Sequence, residues 1–272
     1  MRSPLIRFAC AFLCMTAIVP GATAAPVERF GDLEAGIESF PRIKNLWGAQ
    51  NLTFVPRPDG RGKIMRVFVP QGAIDPGSMR KRGLPPGGAG FKTQVFPAGE
   101  RHALLSYSVR FADNVDFARG GKLPGLYGGS GNSGGKIPDG RDGFSFRLMW
   151  GEGGRGSVYA YLPTSVKYGT SLVRHRFHFK KGVWHRVVQE VVLNDPGQAN
   201  GVVRMWFDGV AVGEATGLVV RTDDALKVDG MFFDVFYGGN DDTWAPSVDT
   251  TIEFADFVVR AGGAAPASAA TN

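Results

Sequence analysis

Short apolar runs, β-branched or aromatic and cut apart by turn residues, decide what this chain can become. Eight stand out: KIMRVFVP (63–70), HALLSYSVRF (102–111), FSFRLMW (144–150), SVYAYLP (157–163), HRVVQEVVLN (185–194), VVRMWFDG (202–209), MFFDVFYGG (231–239) and TIEFADFVVR (251–260). Several alternate with period two, the pattern of a strand with one face buried and one face wet. Long helical patterns are missing, and glycine and proline punctuate the whole chain. This arrangement predicts an all-β fold, a single antiparallel β-sandwich of jelly-roll, concanavalin-like type, and excludes βαβ units. Residues 28–36 are predicted to form a turn of helix. Residues 70–90 and 127–143 are predicted as long loops, and 194–201 as a polar turn.

The first residues, MRSPLIRFACAFLCMTAIVPGATAAP, place Arg2 and Arg7 before an apolar run that closes on Ala22-Thr23-Ala24. That pattern predicts a secretory signal peptide over 1–24, a sandwich domain over 25–260 and a small-residue disordered tail over 261–272. Both cysteines, Cys10 and Cys14, fall in the leader. The expected product is secreted or periplasmic, free of disulfides and held by its core alone. No second stretch is long enough to cross a bilayer, so no membrane partner is expected, and the chain is expected to be a monomer. The formal charge is +6, of which Arg2 and Arg7 supply two, so the domain carries +4. A mild positive charge suits an anionic polysaccharide and is too weak to imply nucleic acid.

Several motifs fail. Gly135-Lys136 is followed by Ile137, and Ser130 stands where a phosphate loop needs its first glycine. The four histidines lack metal-site spacing, so no metal or other cofactor is expected. No G-x-S-x-G elbow occurs, nor the paired carboxylates on one strand that a jelly-roll glycoside hydrolase needs.

One constellation survives. In GFSFRLMW, Phe144, Phe146, Leu148 and Trp150 share one face, and Ser145 and Arg147 the other. In SVYAYLP, Val158, Ala160 and Leu162 oppose Tyr159 and Tyr161. With GEGGRG as the hairpin turn, burying both apolar faces brings Ser145, Arg147, Tyr159 and Tyr161 together. A register centred near Gly153 sets Arg147 across from Tyr159 and Ser145 across from Tyr161. Tyrosines offer flat surfaces and hydroxyls to sugar, and arginine grips carboxylates. The same outward face would serve a non-catalytic carbohydrate-binding protein. Upstream, GGKLPGLYGG (120–129) holds Lys122 between glycine pairs and beside Pro124, and is expected to be a stiff loop.

The order G-G-K-L-P-G, then S-x-R, then Y-x-Y resembles polysaccharide lyase family 14. These are jelly-roll lyases acting on uronic-acid polymers such as alginate and glucuronan. The resemblance extends through GVWHRVVQEVVLN, MWFDG and TWAPSVDTTIEFADF. It implies a metal-independent lyase with Lys122, Ser145, Arg147, Tyr159 and Tyr161 as its functional residues. It leaves the substrate open. In β-elimination a base removes the C5 proton, the C6 carboxylate is neutralised and the C4–O bond breaks. Lys122 and Arg147 are the expected neutralising cations, and Tyr159 or Tyr161 the expected base or acid, with lysine an alternative base. Ser145 would orient substrate or a tyrosine. Lys92 and Gln94, which share a face in FKTQVF, are further candidates for substrate binding. So are Arg176 and His178, from the alternating stripe Arg174, Arg176, His178, Lys180. That stripe reads equally well as a solvated sheet edge.

Overall fold

The computed structural model describes residues 27–30 and 33–262. Fifteen strands follow in chain order among them: β1 (Val27–Phe30), β2 (Ile43–Trp47), β3 (Leu52–Pro56), β4 (Lys63–Val69), β5 (Ala89–Gln94), β6 (His102–Phe111), β7 (Gly120–Gly129), β8 (Gly143–Gly151), β9 (Gly156–Tyr161), β10 (Thr170–Leu172), β11 (Trp184–Val192), β12 (Gly201–Phe207), β13 (Val210–Leu218), β14 (Gly230–Tyr237) and β15 (Thr250–Ala261). They pair antiparallel in two sheets. One runs β13-β12-β11-β6-β15-β4-β3, with β1 also on β15; the other runs β10-β9-β8-β7-β14-β5-β2. Each of the eight apolar runs lies on a strand. The predicted leader and the tail beyond residue 262 lie outside the described residues, and β15 carries the sheet through Ala261.

Inward residues of both sheets fill one core. Phe91 stacks on Phe233 at 4.9 Å, Phe233 meets Phe254 edge-on at 5.1 Å, and Phe111 meets Trp150 edge-on at 5.3 Å. Each fully buried side chain of this size contributes about 1.5–3 kcal/mol, and offset or edge-on ring pairs add to that. The sandwich therefore stands on apolar burial, and no cysteine occurs among the described residues.

Two expectations change. Residues 28–36 do not form a helical turn: residues 27–30 are strand β1, and a short 3₁₀ turn follows at Gly36–Ser39. The loop over 70–90 contains a short helix, α1 (Pro76–Lys81), capped by Asp75 through Gly77 N (2.9 Å) and Ser78 N (3.1 Å). Proline at the first helical position needs no hydrogen-bond acceptor and has φ already set.

The larger correction concerns GGKLPGLYGG, which is the interior strand β7 and not a loop. Proline cannot donate to a ladder, so an interior strand holding one must be irregular there. Leu123 pairs with Leu148 and Leu126 with Phe146, so Pro124 and Gly125 together oppose Arg147 alone. This bulge has a structural repair. Gln189, on the facing sheet and fully buried, accepts from Leu126 N (2.9 Å) and donates to Phe146 O (2.8 Å). Gly125 is required as well: a Cβ there would lie 1.9 Å from Phe146 O and 2.6 Å from the Arg147 Cα. In a regular strand Lys122 and Tyr127, five apart, would face opposite sides. The extra residue turns both outward.

Candidate active site

The outward face of the second sheet carries the site. The β8–β9 register is the expected one, Arg147 with Tyr159 and Ser145 with Tyr161. On β8, Phe144, Phe146, Leu148 and Trp150 are fully buried in the core, and Val158 and Ala160 likewise on β9, which leaves the polar residues on the other side. Lys122 pairs with Met149 of β8 on one flank and with Phe236 of β14 on the other.

Lys122, Arg147 and Tyr159 come together at the middle of this face. Lys122 is only 9 % exposed, and its Nζ lies 4.5 Å from the Tyr159 ring centre and 5.8 Å from that of Phe236. Burial is the main reason its amine titrates at about 7 in place of 10.5; the charge of Arg147 acts in the same direction, while Asp234 and Asp75 oppose it. Arg147 donates through Nη1 to Asp234 Oδ2 in a buried ion pair, and its Cζ sits 5.1 Å from the Phe232 ring centre. Its Nε is buried with no partner. Burial raises the Asp234 carboxyl above its ordinary value, against the pull of Arg147, Lys122 and Lys92. Tyr159 is half-buried, with its phenol pushed up to about 12 by burial and by neighbouring Tyr161, while the Gly169 backbone and Arg147 oppose the rise. Gly169 packs tightly here: a Cβ would lie 2.9 Å from both tyrosine rings.

Three expected site residues are committed to the loop over 130–142. Ser145 is fully buried and donates to Asn132 O at 2.6 Å. Tyr161, 2 % exposed, accepts through its hydroxyl from Gly135 N at 2.9 Å. Lys92 donates to Ser130 O at 2.6 Å, with its Nζ 4.6 Å from the Phe232 ring centre; burial lowers its amine pKa. The loop is also tied internally, by Ser130 N to Asp142 O and Asn132 Nδ2 to Asp142 Oδ2, each 2.8 Å. These residues hold a wall beside the centre. Gln94 accepts from Lys44 Nζ at 3.0 Å, at the far side of β5.

Arg176 and His178 are not brought to the centre. β10 ends at Leu172, and Val173 and His175 adopt positive φ of 48° and 58°, so the segment leaves the sheet and is not a regular strand. Alternation survives only as burial: Phe177 and Phe179 enter the core while Arg176, His178 and Lys180 face solvent. Arg176 lines a lateral groove with Arg174, Arg204 and Trp206, between the edge strands of the two sheets. His178 bridges to Arg155 at the β8–β9 turn.

Asp234 and Asp75 are the site residues that sequence reasoning missed. Asp234 is a lone acid in the apolar run MFFDVFYGG; a buried acid needs a cation, and that need was the available clue. Among the described residues no group of three or more His, Cys, Asp or Glu is placed to hold a metal ion.

A two-sheet sandwich with a buried, chargeable lysine beside an arginine and tyrosines is an arrangement suited to binding an anionic sugar. The family model for polysaccharide lyase 14 matches residues 57–257, and the chain belongs to that family: it is a polysaccharide lyase. The structure is similar to a marine PL-14 alginate lyase from Aplysia kurodai, with TM-score 0.75 and 28 % identity, covering 89 % of this chain and all of that one. An alginate lyase from a Chlorella virus aligns with TM-score 0.68 and 17 % identity, over 85 % of this chain and 96 % of that chain. An endo-β-1,4-glucuronan lyase from the fungus Trichoderma reesei aligns with TM-score 0.52 and 12 % identity, over 83 % and 92 %. The last two likenesses concern the fold alone. A search of curated protein sequences returned no match.

Proposed function

We propose that this lyase cuts a uronic-acid polymer, alginate or glucuronan, by β-elimination, with Lys122 as base, Arg147 as the carboxylate clamp and Tyr159 as acid. The carrying observation is the Lys122 amine, buried against the Tyr159 ring beside Arg147, with no ion pair made to it among the described residues. A lysine titrating at about 7 holds a substantial neutral fraction near neutral pH, as a general base requires. A phenol raised to about 12 is a poor base and keeps the proton a leaving oxygen needs. The opposite shifts of the two groups favour lysine over tyrosine as base, and Tyr161, with its hydroxyl held by Gly135, supports the wall.

Lys122 takes the C5 proton, and the electron pair spreads onto the C6 carboxylate held by Arg147. The pair then forms the C4–C5 double bond as the C4–O bond breaks, and Tyr159 protonates the departing oxygen. Lys122, whose Nζ lies beside Tyr159, then returns its proton to the phenolate, so no water is consumed. We further propose export to the periplasm or medium, with residues 25–260 as the working domain, an anionic polymer as partner and the monomer as the active form. The test incubates the protein with mannuronate-rich alginate, guluronate-rich alginate and glucuronan, following ultraviolet absorbance and reducing ends together. Both rising in step supports the reading. Reducing ends without absorbance mean hydrolysis, and polymer retention with neither means a binding protein.

A further inference from the structure

Two buried side-chain polar atoms without a hydrogen-bond partner occur among the described residues: Arg147 Nε and Asp75 Oδ2. A natural fold rarely leaves such atoms unmet, and each calls for an account. Both belong to residues whose charges act on Lys122. Asp75 lies far from Lys122 in sequence and reaches its neighbourhood through backbone bonds. Asp75 N donates to Gly239 O at 3.3 Å, just past β14, and Gly238 N donates to Gly120 O at 2.8 Å, at the start of the lysine's own strand. Only one carboxylate oxygen, Oδ1, caps α1. The other is free of that duty.

We propose that Asp75 is a positioning residue for Lys122: its unpaired oxygen receives the lysine ammonium that forms when the amine takes the substrate proton. This rests on the elimination reading above, with lysine as base. Before the reaction Lys122 rests on the Tyr159 ring, and Asp75 Oδ2 is buried with no hydrogen-bond partner. An interaction made only once the proton has moved stabilises the transition state more than the ground state, the kind that accelerates a step. The charged and titratable groups facing Lys122 are Arg147 from β8, Tyr159 from β9, Asp234 from β14 and Asp75 from the segment before α1. Asp234 Oδ2 is held by Arg147, and Asp75 Oδ2 is the buried carboxylate oxygen without a hydrogen-bond partner among the described residues.

Asp75→Asn separates this role from capping. Asparagine caps a helix about as well as aspartate, so Oδ1 is replaced in kind while the free oxygen and its charge are lost. Asp75→Ser is a second cap-competent variant with no second oxygen. On alginate, both variants should keep the wild-type melting temperature and lose about tenfold or more in kcat, the scale of a lost proton-transfer partner. The acid limb of the pH–rate profile should move to lower pH, because Lys122 has lost a negative neighbour. Wild-type kcat with an unmoved limb in both variants would overturn the proposal, as would a kcat loss that tracks a fall in melting temperature with the limb unmoved. If no uronate polymer is cut by the wild type, NMR titration of the Lys122 amine tests the same pairing without turnover. A lower midpoint in Asp75→Asn upholds the Asp75–Lys122 pairing while the elimination reading fails, and an unchanged midpoint sinks it.

Discussion

Lys122 joins the fold to the chemistry because burying an amine is costly unless it gives up its proton. Its titration at about 7 gives a signed prediction. On the proposed mechanism the neutral form is the base, so kcat/KM should rise with pH and level off above about 7, and one pH unit lower should leave about a tenth of the plateau. An acid limb near the ordinary lysine value would contradict this. Asp234 supplies a second prediction. Asp234→Asn strips the charge from the buried partner of Arg147, and breaking such a pair costs about 3–5 kcal/mol. Urea unfolding should show that loss together with a fall in kcat; a change under about 1 kcal/mol would mean the pair is not held as described. Neither residue's setting was legible in the chain. The alternation of β8 and β9 predicted Ser145, Arg147, Tyr159 and Tyr161 on one face because two apolar faces demand one core. It could not tell which of them would be spent on the loop over 130–142, since loop contacts have no period.

At the scale of elements, β7 shows where local preference and tertiary structure part. Glycines and Pro124 read as a loop, yet the segment is an interior strand because a bulge absorbs the proline and Gln189 reaches across the core to fill the broken ladder. The facing strand β11 hides that duty, as Gln189 sits unremarked in HRVVQEVVLN. Gln189→Leu keeps the volume but strands Leu126 N and Phe146 O in the core. Each unmet group costs about 1–3 kcal/mol, so denaturant unfolding should register a loss of about 2–6 kcal/mol, and turnover should fall because the bulge sets Lys122 relative to Arg147. Stability within about 0.5 kcal/mol of wild type would refute this role. The stripe from Arg174 to Lys180 failed in the opposite way: its alternation is genuine, but positive φ at Val173 and His175 carries it off the sheet.

Across the whole molecule, the sandwich was the most legible feature, since eight short apolar runs, several of them alternating, leave few other ways to bury their faces. The strands that escaped notice, such as β2, β5, β10 and β13, are short, or rich in glycine and polar residues, and are set by their neighbours. Export would leave a domain of formal charge +4, and its polymer substrate would be a polyanion. Exposed charges are screened by salt far more than buried ones. Raising ionic strength should therefore raise KM for polymer severalfold and leave kcat within about twofold; equal sensitivity of both would place the working charges at the surface. The central claim is that a buried lysine performs the elimination. Its most direct test is the rate at which Lys122→Ala releases unsaturated uronate from alginate, read as ultraviolet absorbance under saturating polymer. Loss of a general base predicts a fall of about 10²–10⁴-fold with the polymer still bound. Turnover within tenfold of wild type would contradict it.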